Sequence, residues 1–189
     1  FEEDGSRAVV LDPTSLAIRN SWDWPENGGL DRCLPQDEAI ICLETEGFKD
    51  GARTLLANHL VRIDLATGKK SELTKFRADG VEMVSSSGRI HVATRSTMNL
   101  MSADLTKVEL ELPLAHGDEA IETLNAGAGF IDVFVRDYNR TMTADGRADI
   151  GRIVRIDPAT LNVVRQTPLQ LPDQQLVGVH LIPHEVFEK

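Results

Sequence analysis

The chain has 189 residues, of which 41% are hydrophobic and 26% are charged, a composition typical of a globular domain with a sizeable core. Its formal net charge of −10 disfavours binding to a nucleic-acid backbone. No apolar run approaches the roughly 18 residues that a membrane-spanning helix needs. The chain begins with Phe1 rather than Met, so we expect either a removed leader or a piece of a longer protein.

Taken from the N-terminus, four apolar segments end in Asp. A short polar turn follows each Asp, and its Pro, Gly, Thr and Ser residues favour turn dihedrals and local hydrogen bonds. This pattern predicts a strand, a turn and a second strand in each case. The segments are AVVLD (8–12), LVRID (60–64), LMSAD (100–104) and IVRID (153–157).

Two further strands are predicted after each of these pairs, because apolar residues alternate through many of the short runs. The strand after the turn is AIRNSWDW, KKSELTKF, ELELPL or NVVRQTPL; the next is GLDRCL, GVEMVS, AIETLN or LVGVH; the last is AIICLE, RIHVATR, FIDVFVRD or EVFEK. One short helical turn at most is expected, within residues 49–58.

Each repeat therefore holds four short strands. The anchors Asp12, Asp64, Asp104 and Asp157 are separated by 52, 40 and 53 residues, and the shortest spacing is a normal length for a propeller blade. We expect one all-β domain over residues 1–189, a β-propeller of four four-stranded blades.

LVRIDLATGKK and IVRIDPATLNVVRQTPL resemble the Ile-Asp-x-x-Thr core of YVTN-type propeller repeats, which are relatives of the WD-type repeat, and GVEMVSSSGRIHVA resembles the part that follows. The resemblance implies that the Ile-Asp strand is the third of its blade. Strands within 8–24 would then be outer strands and those within 174–189 inner ones, so the two chain ends close a four-bladed ring. The alternative is part of a larger propeller, completed by further blades or a second copy. The resemblance also suggests an exported bacterial protein, periplasmic or secreted.

The two cysteines, Cys33 and Cys42, are nine residues apart. This spacing permits a disulfide across a hairpin whose turn centres on Asp37 and Glu38, as expected in an oxidising compartment. The alternative is a pair of buried thiols.

Long insertions over 45–59 and 137–151 join the second and third strands of their repeats. Because strands in a blade alternate in direction, these loops emerge on the same face as the connections between blades, and binding groups concentrate on such loops. Their arginines are suited to a carboxylate or phosphate of a partner. The candidate binding residues are Phe48, Asp50, Arg53, Tyr138, Arg140, Asp145 and Arg147.

Two acidic sets are candidate metal ligands. The second insertion carries Asp137, Asp145 and Asp149, together with Asn139, and their oxygens are suited to calcium, although Asp-Gly pairs also form ordinary turns. The inner strands carry Asp31, Glu82 and Glu122 at matched positions, where a divalent cation in the central channel would relieve their repulsion. The alternative for this second set is pairing with arginines or lining a wet channel.

The leading hypothesis is a non-catalytic module that binds a protein or surface ligand through one loop-rich face. It rests on the repeats and the one-sided insertions, in a chain with no Gly-x-Ser-x-Gly elbow and no phosphate-binding glycine loop. The alternative is a propeller enzyme or enzyme fragment, a lactonase-like hydrolase or quinoprotein-like oxidoreductase, with a metal in its channel. A third hypothesis is a structural subunit of a larger assembly.

Overall fold

The computed structural model describes residues 7–12, 14–23, 28–50, 53–76, 82–127, 129–142 and 146–172. Within these ranges the regular elements are fourteen β-strands. Residues 49–58, for which one helical turn was expected at most, lie in strands wherever they are described. No helix among the described residues is long and apolar enough to cross a bilayer.

Twelve strands form three four-stranded antiparallel sheets in which neighbours in sequence are neighbours in space. Strands are numbered in chain order, and sheet 1 contains β3 (Gly28–Gln36), β4 (Ala39–Asp50), β5 (Arg53–Asp64) and β6 (Lys70–Phe76). Sheet 2 contains β7 (Glu82–Ser86), β8 (Arg89–Ala93), β9 (Thr97–Met101) and β10 (Val108–Pro113). Sheet 3 contains β11 (Glu119–Gly127), β12 (Phe130–Met142), β13 (Arg147–Ile156) and β14 (Val163–Pro172). The predicted four-stranded repeat is therefore confirmed for these three sheets.

The remaining strands, β1 (Arg7–Leu11) and β2 (Ile18–Asp23), form a two-stranded antiparallel sheet. They correspond to the predicted outer strands at the N-terminus. The predicted inner strands LVGVH and EVFEK lie outside the described residues, and with them the predicted closure of a four-bladed ring.

The chain divides into two compact units, residues Phe1–Asp79 (unit 1) and Gly80–Lys189 (unit 2). Unit 1 contains sheet 1 and the two-stranded sheet, and unit 2 contains sheets 2 and 3. The core of unit 2 consists of apolar side chains from sheets 2 and 3 and from the connections between their strands. Its buried members are Ala93, Met98, Leu100, Leu114, Ala115, Ile121, Leu124, Ile131, Val133, Val135, Val154, Ile156 and Leu161.

The repeated aspartates organise the turns between the third and fourth strands. Oδ1 of Asp64 accepts hydrogen bonds from the backbone N–H groups of Ala66 (3.1 Å) and Thr67 (2.7 Å), and Oδ1 of Asp157 accepts the equivalent pair from Ala159 and Thr160, both at 2.9 Å. These bonds are why the repeat needs Asp: a carboxylate satisfies two turn N–H groups that face no strand.

Hydrogen bonds from backbone N–H groups and hydroxyls lower the pKa of the aspartates at these turns. The pKa of Asp12 falls to about 2, chiefly through the backbone N–H groups of Ser15 and Thr14. The pKa of Asp104 also falls to about 2, chiefly through the hydroxyls of Ser102 and Thr106. Each of these turns is therefore held by a charged acceptor at neutral pH.

Cys33 and Cys42 stand opposite each other on β3 and β4 and form a disulfide. The hairpin turns at Asp37 and Glu38, where the sequence analysis centred it. Of the two alternatives, the structure has the hairpin disulfide and not the pair of buried thiols.

The two insertions predicted to be loops are extensions of hairpins. The β4–β5 ladder continues without a register shift to the pair Asp50 and Arg53, and the β12–β13 ladder reaches Met142 and Ala148. The expectation of long irregular loops is thus wrong. Continued pairing satisfies backbone N–H and C=O groups that an irregular loop of this length would leave to water.

Candidate functional site

A large β-bulge interrupts the pairing of β12 with β13. Arg136 pairs with Gly151 and Thr141 pairs with Asp149, so residues 137–140 stand opposite the single residue Ile150. Bulges of this kind redirect side chains and are frequent beside functional sites. Here the bulge contains Tyr138, which is 52% exposed.

The ring of Tyr138 is held from several sides. Its hydroxyl donates a hydrogen bond to Oε1 of Glu122 at 2.6 Å. The guanidinium carbon of Arg136 lies 4.9 Å from the ring centroid and that of Arg95 lies 6.0 Å from it. The backbone N–H of Tyr138 donates to the carbonyl of Asp118 at 3.1 Å. We call Arg95, Glu122, Arg136 and Tyr138 the Tyr138 site.

Glu122 is the central acceptor of this site. It lies at the register shift of β11 against β12, and its Oε1 also accepts a hydrogen bond from Nη1 of Arg136 at 2.9 Å. Because the phenol bonds to a carboxylate, the pKa of Tyr138 is raised above its usual value; burial adds to the rise and the two arginines oppose it. The tyrosine therefore stays protonated as a hydrogen-bond donor at neutral pH.

A second ion pair fixes the connection between β10 and β11, beside the Tyr138 site. Arg152 forms an ion pair with Glu119, with Nη2 3.0 Å from Oε2, and donates to the carbonyl of Leu114 at 2.6 Å. Oε2 of Glu119 also accepts the backbone N–H of His116 at 3.0 Å. The pKa of Glu119 is lowered, with the hydrogen bond from Arg152 as the largest cause.

The short turn that carries Arg95 is tied to the same connection. The N–H groups of Leu114 and Ala115 both donate to the carbonyl of Ser96, at 2.9 and 3.1 Å, and the N–H of Ile121 donates to the carbonyl of Arg95 at 2.8 Å. The backbone beneath the Arg95 side chain is therefore fixed by sheet 3 as well as by its own sheet.

The predicted binding residues are distributed over both units. Tyr138 belongs to the site above, and Arg147 is exposed at the start of β13. Asp50 and Arg53 pair at the tip of the β4–β5 hairpin, and Phe48 pairs with Leu55 on the same hairpin. The side chains of Phe48, Asp50, Arg53 and Arg140 lie outside the described part of the structure, as does the whole of Asp145.

The predicted metal ligands that are described have other contacts. Glu122 is engaged by Arg136 and Tyr138, Oδ1 of Asp137 accepts the N–H of Asn139 at 2.8 Å, and Oδ1 of Asp149 accepts the N–H of Gly151 at 3.3 Å. Glu82 pairs with Ala93 across β7 and β8. The Asp31 side chain lies outside the described residues. Among those that are described, no three His, Cys, Asp or Glu side chains converge as a metal-binding group.

Neither Arg95 nor Arg136 is among the residues predicted from sequence. Arg136 lies two residues before Tyr138, a spacing that puts two side chains on one side of a regular strand, and that signal could have found it. Arg95 comes from another sheet, and its position depends on the packing of sheets 2 and 3. Nothing in the local sequence indicates that contact.

No protein-family model matches this chain, and no curated protein matches it. Among solved structures, the chain is similar to the WD40 domain of Pan2 from Neurospora crassa, with a TM-score of 0.45 and 15% sequence identity. The similarity covers 87% of this chain but only 60% of that domain.

Proposed function

We propose that this chain consists of β-propeller blades and functions as a protein-interaction module, with the Tyr138 site as its principal contact. The consecutive order of the four strands in sheets 1 to 3 supports the blade assignment. The observation that carries the functional proposal is a half-exposed tyrosine whose ring and hydroxyl are both held in place.

An exposed aromatic side chain of this kind fits a binding hot spot. Tyr and Arg are the residue types, with Trp, that dominate binding energy at protein interfaces. A side chain that is already ordered loses less conformational entropy on binding. Tyr138 meets both conditions because Glu122 and Arg136 fix it before a partner arrives.

The engaged state of Glu122 favours this reading over the channel-metal enzyme. Its Oε1 accepts two hydrogen bonds, one of them from a guanidinium, and a cation bound there would have to compete with Arg136. The observed pairing corresponds to the alternative in which inner-strand acids pair with arginines.

We propose in addition that the strands expected within 174–189 pair with β1 to complete a fourth blade, as the YVTN-type resemblance implies. A two-stranded sheet by itself is marginally stable, and apolar side chains of β1 and β2 are exposed in the described structure: Val9 (46%), Leu11 (45%) and Ile18 (65%). Deletion of residues 173–189 is expected to abolish cooperative unfolding or to cause association. If the chain that lacks residues 173–189 stays monomeric and unfolds as cooperatively as the full chain, this part of the proposal is contradicted.

The proposed location is extracytoplasmic, supported by the disulfide between Cys33 and Cys42. Protein isolated from its native source in the presence of a thiol-alkylating reagent is expected to remain unmodified until a reductant is added. Two alkylated cysteines without reductant would contradict an oxidising compartment.

The functional proposal is tested by selecting a displayed library of random peptides against the full chain. Tyr138→Ala is expected to lose affinity for the selected peptides by about tenfold or more, as a hot-spot truncation does. The control is Val164→Ala, which removes another exposed apolar side chain (65% exposed) on β14. If no peptide is enriched, or if Val164→Ala weakens binding as much as Tyr138→Ala does, the Tyr138 site is not the contact.

A further inference from the structure

We infer that Arg95 binds a carboxylate of the partner, so that the Tyr138 site recognises a protein segment in which a single Asp or Glu lies beside apolar residues. This inference rests on the proposed function and names the chemistry of the partner that the site accepts.

Arg95 differs from the two arginines beside it in its ion pairing. Arg136 is paired with Glu122 and Arg152 is paired with Glu119. Arg95 is exposed, and within the described residues no carboxylate lies within ion-pair distance of it. Its guanidinium carbon lies 6.0 Å from the centroid of the Tyr138 ring, and the residue is exposed to solvent.

The nearby carboxylates have partners of their own. Glu119 is paired with Arg152 and Glu122 with Arg136. Asp118 and Asp137 are next to these residues in the chain, and the N–H of Asn139 that donates to Oδ1 of Asp137 leaves the charge of that carboxylate in place. Among the three arginines, and within the residues that the structure describes, Arg95 is the one without a carboxylate at ion-pair distance.

The chemistry of the guanidinium and the charge of the chain together limit the class of ligand. A guanidinium presents parallel N–H donors that match a carboxylate or a phosphate. The chain carries a net charge of −10, which opposes the approach of polyanions such as nucleic acids. A single Asp or Glu side chain beside apolar groups avoids that repulsion and leaves those groups to contact the exposed face of Tyr138. We therefore assign the partner's anion as a carboxylate within a protein segment.

The backbone geometry supports a preformed subsite. The carbonyl of Arg95 accepts the N–H of Ile121 at 2.8 Å, and the neighbouring Ser96 carbonyl accepts two further N–H groups. The distance between the Arg95 and Tyr138 backbones is therefore set by strand packing and not by a free loop. A carboxylate bound by Arg95 would place the next residues of the partner over Tyr138.

The test uses peptides selected from the displayed library against the full chain, made as free peptides. We expect them to contain Asp or Glu. Arg95→Ala is expected to weaken binding about tenfold or more, the loss expected for a charge-assisted pair. Replacing the peptide's Glu by Gln, or Asp by Asn, is expected to cost the wild-type chain the same factor and the Arg95→Ala variant little more. Arg165→Ala, at another exposed arginine, is the matched control and is expected to leave affinity unchanged.

The outcomes separate this inference from the proposed function. If binding depends on Tyr138 while Arg95→Ala binds normally, or if the peptides lack acidic residues, the inference fails and the proposed function stands. Stronger binding by peptides with phosphoserine in place of Glu would also overturn it. If no peptide depends on Tyr138, the proposed function itself fails. Unfolding midpoints of the Arg95 and Tyr138 variants verify that each remains folded.

Discussion

The phenolic hydroxyl of Tyr138 donates to Oε1 of Glu122 at 2.6 Å, and the same oxygen accepts from Arg136 at 2.9 Å. The three residues come from two paired strands, yet the contact depends on irregularities in both. β11 shifts register beside Glu122, and β12 bulges at residues 137–140. A regular ladder would not present this arrangement, which is why we regard the bulge as the feature that creates the site.

The first prediction concerns the ionisation of Tyr138. Because the chain has one tyrosine, ultraviolet absorbance reports that group alone. We expect a pKa above the usual value of 10.0, since the phenol donates to a carboxylate. Glu122→Gln is expected to lower the pKa towards that value. Arg136→Ala is expected to raise it, because a cation that favours the phenolate is lost. A Tyr138 pKa unaffected by Glu122→Gln would refute the hydrogen bond.

The second prediction concerns Gly151, which lies opposite Arg136 at the bulge. Its φ is +132°, and a Cβ atom there would lie 2.1 Å from the carbonyl oxygen of Val135. Gly151→Ala is expected to lower the free energy of unfolding by at least about 2 kcal/mol, through strain and displaced backbone. The control is Gly117→Ala, also at positive φ (+61°) but with no atom within 4 Å of the added Cβ. Urea unfolding measures both, and equal losses would contradict the close contact.

The third prediction compares two equivalent leucines in the Asp-anchored turns. Leu16 and Leu161 each lie four residues after the Asp and have φ of 56°, where Gly68 stands in the second repeat with φ of 69°. Leu16 is 69% exposed and Leu161 is 3% exposed. Leu16→Gly is expected to stabilise the chain by about 0.5 kcal/mol, because backbone strain is relieved without loss of packing. Leu161→Gly is expected to destabilise it by about 3 kcal/mol, because a buried side chain is lost.

The sign of the change at Leu16 decides this comparison. Thermal and urea unfolding of the two variants would measure it. Destabilisation by Leu16→Gly comparable to that by Leu161→Gly would mean that the left-handed leucine is not strained.

The fourth prediction concerns His91, which is fully buried in β8 and whose Nε2 lies 2.7 Å from the carbonyl oxygen of Pro158. Burial is the main cause that lowers the pKa of His91, while the Pro158 carbonyl opposes the shift. The unfolded chain therefore binds a proton more readily, so stability is lost as pH falls below about 6.5, towards the lowered pKa of the folded state. His91→Gln is expected to reduce this dependence.

The control for His91 is His116→Gln, at an exposed histidine on the connection between β10 and β11. It is expected to keep the wild-type dependence of unfolding free energy on pH. If His91→Gln and His116→Gln give the same pH profile as the wild-type chain, the buried imidazole does not control acid stability.

The repeated architecture could be predicted from sequence because its signals are local. Alternating apolar residues specify strands, and Asp64 and Asp157 mark turns through bonds to N–H groups two and three residues away. The hairpin disulfide was predicted as one alternative for the same reason, since its geometry depends only on the turn at residues 37–38.

The Tyr138 site could be predicted only in part because its contacts are long-range. Tyr138 was selected as an aromatic residue in an insertion, but the insertion was expected to be a loop. Its continued strand pairing depends on the partner strand, which the local pattern does not show. The approach of Arg95 to the Tyr138 ring depends on how sheets 2 and 3 pack. Glu122 was expected as a channel ligand because the sequence does not show that Arg136 lies across from it on the neighbouring strand.

The central claim is that the Tyr138 site contacts the partner. Hydrogen exchange of the full chain, measured with and without a peptide selected as above, tests it most directly. We expect slower exchange in residues 94–96, 114–119 and 137–140, which surround the site, and no change along β14. Protection confined to β14 or to the turns anchored by Asp104 and Asp157, with none at residues 137–140, would contradict the claim.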